Sequence, residues 1–165
     1  MSKIFFTFTF LAISLIEFSQ NTETKLYNPD LDAFKQVEDA LVTAREENKH
    51  VLIQVGGNWC PWCIKLHHYL DTMPQLDSLV NADYVLIRIN YSRENKNPEM
   101  MEYLGFPQRF GFPVLVVLDQ EGNRIHTQNT GILEKDDFYS EQKIADFLKG
   151  WNRKAIKPET YRTKP

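Results

Sequence analysis

Val51-Leu52-Ile53-Gln54-Val55-Gly56-Gly57-Asn58-Trp59-Cys60-Pro61-Trp62-Cys63 is the stretch on which the reading of this chain turns. Its first five residues form a short, β-branched apolar run, the pattern of a central strand buried on both faces. Gly56-Gly57-Asn58 ends that strand. Cys60 then opens a helix, with Pro61 in the first turn, where a missing N–H does no harm. The helix is expected to run to about Asp71, and Pro74 marks a break.

The two cysteines are the only ones in the chain. As a staple, a disulfide closing so short a loop would stabilise by only about 2 kcal/mol, because loop-closure entropy grows with loop size. As a redox switch the spacing is well chosen. A thiol attacks as its thiolate, and free cysteine ionises near pH ~8.5. Unpaired N–H groups and the helix dipole at a helix N-terminus favour negative charge, so Cys60 is the expected nucleophile, exposed to substrate. Cys63 lies nearly one turn on, placed to resolve a mixed disulfide formed at Cys60. Pro61 stiffens the loop, and Trp59 and Trp62 add flat apolar surface for an extended substrate segment; partial core packing is the alternative for Trp62.

Outward from this motif the pattern is α/β. Asp32 to Asn48 carries Phe34, Val37, Leu41 and Ala44 at helical spacing, with Asp30 or Asp32 as cap. Tyr84 to Asn90 reads as a second strand and Glu99 to Leu104 as a short helix. Residues 105–113 form a Gly- and Pro-held loop, and Val114 to Leu118 a third strand. Asp119 to Asn123 makes a hairpin turn into a fourth strand, Arg124 to Gln128. Asp136 to Trp151 is expected to be the last helix, with Ile144, Phe147, Leu148 and Trp151 facing inward. The order gives a three-layer fold, a mixed sheet of four to five strands flanked by helices.

The organisation expected is a signal peptide over 1–20, a flexible lead-in over 21–31, one domain over 32–152 and a polar tail over 153–165. Lys3 supplies a positive start, Ile4 to Ile16 is uncharged and apolar, and Glu17 breaks the run. That run is short of the roughly 20 residues a helix needs to cross a bilayer. Cleavage falls best near Ser19 or Gln20, an uncleaved anchor being the alternative. Export to the periplasm or cell envelope of a Gram-negative bacterium fits this start. A formal net charge of -3 provides no global basic field, so no nucleic-acid partner is expected.

Taken together, Val51 to Val55, Trp59-Cys60-Pro61-Trp62-Cys63 and Gly111-Phe112-Pro113-Val114-Leu115-Val116-Val117-Leu118 resemble the thioredoxin superfamily. Gly122 and Gly131 fall where that family also places glycines, and the likeness spans Asp32 to Trp151. The resemblance implies that Pro113 is a cis-proline facing the cysteine pair and that Phe112 offers backbone groups to a substrate strand. It implies a thiol–disulfide oxidoreductase acting on protein thiol or disulfide substrates with no cofactor; a monomer is expected. The reducing direction is favoured, supplied by a membrane electron donor. The alternative is a binding module using Trp59, Trp62 and Phe112, its Cys60–Cys63 disulfide static.

Two positions depart from the family. Its best-known members carry a buried aspartate where this chain has Gln54, which cannot act as a base. That leaves the proton of Cys63 to water or to another group such as Glu38. The threonine that often follows the cis-proline is Val114. Cys60, Cys63 and His67 share roughly one helix face, but nothing is placed as a fourth ligand for zinc, so no metal is expected. Arg88, Arg93, Lys96 and Arg109 read as a solvated face.

Overall fold

In the computed structural model, residues 25–162 are described; the expected signal over 1–20 and the end of the tail, 163–165, lie outside them. Helix α1 (Ala33–Glu46) starts at Asp32, whose carboxylate accepts from the N–H groups of Phe34 at 2.9 Å and Lys35 at 3.1 Å. Replacing Asp32 with alanine orphans both donors and is expected to cost about 1 kcal/mol of unfolding free energy, measured by urea titration.

Strand β1 (His50–Gly56) follows and is buried along its whole length. It lies at the centre of a four-stranded sheet in the order β2-β1-β3-β4. Strand β2 (Tyr84–Asn90) pairs with it in parallel, and β3 (Val114–Leu118) in antiparallel with Val55 opposite Val114. Strand β4 (Arg124–Asn129) pairs antiparallel to β3. Side chains of a strand alternate between faces, so β1 feeds two cores. Val51, Ile53 and Val55 pack with α1 and with Met100 and Met101 of α4 (Pro98–Tyr103). Leu52 points the other way, towards α2 (Pro61–Thr72), α3 (Pro74–Asp83) and α5 (Glu141–Gly150). The result is the three-layer arrangement, with a mixed sheet of four strands between helices.

The expected break at Pro74 is present, between α2, which ends at Thr72, and a further helix that was not foreseen: a proline fits the first turn of α3, and Leu76 and Val80 bury one face. Two expectations need correction. The last helix begins at Glu141, not Asp136. Residues 134–139 instead form a two-stranded ribbon, β5 (Glu134–Lys135) and β6 (Phe138–Tyr139), and Ser140 caps α5. Finally, the lead-in is packed where it is described: Tyr27 is completely buried.

Candidate active site

Cys60 and Cys63 form a disulfide, with their Cα atoms 5.2 Å apart. Cys60 is the N-cap of α2, and its sulfur accepts from the Cys63 N–H at 3.2 Å. An N-cap side chain takes one of the helix's unpaired donors, so negative charge on this sulfur meets both an N–H group and the positive end of the helix dipole. The two cysteines are not equally covered. Cys60 keeps 4% of its surface and Cys63 none. The expectation of an exposed Cys60 is therefore corrected to a narrow opening. Leu26, Trp62 and Phe112 pack around the cluster of Tyr27, Cys60 and Cys63 and account for the cover.

The surrounding aromatic residues have distinct placements. Trp59 is 56% exposed, yet its indole N–H donates to the Tyr91 carbonyl at 2.7 Å. Its ring meets Phe112 edge-on at 5.5 Å, and Phe112 lies 4.7 Å from Tyr91. Trp62 turns inward, edge-on to Tyr139 at 5.2 Å, with Lys65 Nζ 4.3 Å above its ring. Packing is thus part of the Trp62 role. The Phe112–Pro113 peptide bond is cis, and Pro113 leads into β3 at the end of the sheet where β1 delivers Cys60. Beside Trp59 runs an open groove lined by Leu26, Asn58, Ile64, Tyr91 and Arg93.

Polar groups below the disulfide were only partly foreseen. Gln54 donates from Nε2 to the Cys63 carbonyl at 2.9 Å, while its Oε1 is buried with no partner. Glu38 stands on the exposed face of α1, paired with Lys35 at 3.4 Å, and is not available to Cys63. Arg88 is not on a solvated face. In register with Gln54, it donates to Asp71 at 2.7 Å and sits 2.8 Å from His67 Nδ1. Burial and the Arg88 charge hold His67 below the ordinary histidine range, against the pull of the Asp71 carboxylate 3.0 Å from the same Nδ1. His67 is committed to this cluster.

Tyr27 and Asn58 were not singled out by sequence. Asn58 brackets the Tyr27 backbone, accepting from its N–H at 3.0 Å and donating to its carbonyl at 2.6 Å. This clasp lays the Tyr27 ring under the disulfide. Gly56 is what makes room: a Cβ there would stand 2.5 Å from the Cys63 sulfur and 2.9 Å from the Tyr27 hydroxyl.

The sequence matches the profile of the thioredoxin-like domain family over residues 37–143. No curated protein matches it significantly. Among solved structures it is similar to a disulphide isomerase from Xylella fastidiosa Temecula1, with 28% identity and a TM-score of 0.66 over 74% of this chain and 93% of that one. It shares its fold with the oxidised C-terminal domain of Neisseria meningitidis DsbD (18% identity, TM-score 0.51, 74% and 97% covered). The same holds for a thioredoxin from Thermus thermophilus (14% identity, TM-score 0.52, 84% and 97% covered).

Proposed function

This chain belongs to the thioredoxin-like domain family, and from that membership and the geometry of its cysteine pair we propose that it exchanges disulfides with protein substrates. The observation that carries the reading is the position of Cys60: a disulfide sulfur at a helix N-terminus, hydrogen-bonded to an N–H and less covered than its partner. The similarity to a disulphide isomerase at 28% identity supports it.

In the reducing direction, the Cys60 thiolate attacks one sulfur of a substrate disulfide. That bond breaks, the departing substrate sulfur leaves as a thiolate and takes a proton from solvent, and a Cys60–substrate disulfide forms. Cys63, as thiolate, then attacks the Cys60 sulfur and releases the second substrate thiolate. Two electrons have passed to the substrate, and the pair is oxidised, the state seen here. An external dithiol must reduce it again. We favour this direction because an oxidising envelope already has strong oxidants, and we assign the electron supply to a membrane donor. Trp59 and Phe112 flank the opening and would receive an extended substrate segment, with Pro113 fixing the strand behind them.

We further propose export through the first twenty residues. Among the described residues, no helix is long and apolar enough to cross a membrane.

The cover over Cys60 favours a second reading, a binding module with a static disulfide. Equilibration of the pair in glutathione and dithiothreitol buffers separates the two. A potential between about -270 and -120 mV, with reduction of insulin, supports exchange; a value below about -300 mV and no insulin reduction supports the static bond.

A further inference from the structure

The Tyr27 hydroxyl is fully buried and, among the described residues, has no hydrogen-bond partner. An orphaned buried donor costs free energy, so native chains rarely keep one without use. Two groups stand near it. One is the Gln54 amide, whose Oε1 is also unpartnered. The other is the Cys63 sulfur, which shares with the hydroxyl the space left by the absent Gly56 side chain.

A disulfide sulfur accepts hydrogen bonds weakly, but a thiolate accepts strongly. We propose that Tyr27, whose hydroxyl has no partner while the disulfide is closed, donates its phenolic hydrogen bond to the Cys63 sulfur when the disulfide opens. When an external thiolate attacks Cys60, the Cys60–Cys63 bond breaks and Cys63 leaves with the electron pair. The negative charge then appears in a site with no carboxylate at position 54, where the buried phenol is a neutral donor beside the sulfur. The proton stays on the tyrosine oxygen, and Cys63 is protonated later from solvent. Burial pushes the phenol well above its ordinary range, so it remains a donor throughout neutral and mildly alkaline pH. The other charged or titratable groups facing this point are Arg88, Tyr139 and Cys60.

This inference rests on the exchange reading for its purpose, but its test reads the cysteine pair alone. Tyr27→Phe keeps the ring and removes the donor. In glutathione buffers, its equilibrium constant for reduction is expected to fall about tenfold, a shift of about 30 mV to more negative potential. In reduced Cys60→Ser protein, where Cys63 is the only thiol, adding Tyr27→Phe is expected to raise the Cys63 pKa by about one unit, followed by thiolate absorbance. If the phenylalanine chain does not fold, Tyr27→Met fills similar volume without a donor and is read the same way. Unchanged potential and unchanged Cys63 titration overturn the inference, even if thermal stability drops. Wild-type protein that fails to reduce insulin overturns the exchange reading instead.

Discussion

Cys60→Ser is expected to abolish insulin reduction, a loss on the order of 10³-fold or more, as for removal of any attacking group. Serine keeps the N-cap: its hydroxyl can accept from the Cys63 N–H as the sulfur does at 3.2 Å. The fold should therefore survive, and the loss should be chemical. Cys63→Ser provides the contrast. Cys60 can still attack there, but nothing resolves the product, so a Cys60–substrate adduct should accumulate and be visible by mass spectrometry. Iodoacetamide at pH 6 should label Cys60 quickly after mild reduction, and Cys63, with no exposed surface, slowly. Full activity in the Cys60→Ser protein would end the enzymatic reading.

Gly56→Ala should be a strongly damaging small change. The backbone at Gly56 is not in the left-handed region, so the constraint is space rather than conformation. The added methyl would meet the Cys63 sulfur at 2.5 Å and the Tyr27 hydroxyl at 2.9 Å, both inside van der Waals contact. Neither neighbour can yield easily, because Cys63 is in α2 and tied to Cys60, and Tyr27 is clasped by Asn58. Overpacking of this kind costs about 1–3 kcal/mol, and urea unfolding of the oxidised protein should show it. A stability within about 0.5 kcal/mol of wild type would mean that the space under the disulfide is not shared as described.

Much of this arrangement could be read from residue order, because its signals are local. Val51 to Val55 reads as a buried strand, and a helix beginning at Cys60 follows from Pro61 and the spacing of the motif. Gly111-Phe112-Pro113 announced the start of β3. What escaped was non-local or masked by a stronger local cue. Pro74 reads as a stop, although Leu76, Leu79 and Val80 behind it carry helical spacing, and a proline serves equally well as a first residue. Arg88 looks like a surface cation until its register opposite Gln54 puts it on the α2 side of the sheet. Tyr27 sits in a polar stretch with no periodicity, and what pins it down is a hydrogen-bond pair across 31 residues and packing against Cys60 and Cys63. The bare Cys60 expected at the helix mouth was covered by Leu26 and Phe112, two residues far apart in sequence.

The lead-in clasp carries a practical warning for anyone shortening the molecule. Trimming at the first helix would leave every described secondary-structure element intact and still unroof the inner sulfur, because Tyr27 and Leu26 cover it from that side, fastened through Asn58 and through Asn95, which donates to the Pro29 carbonyl. A protease cut between residues 28 and 32 would do the same. Such a clipped form should look native by circular dichroism while its shielded thiol reacts with alkylating reagents as readily as a surface one.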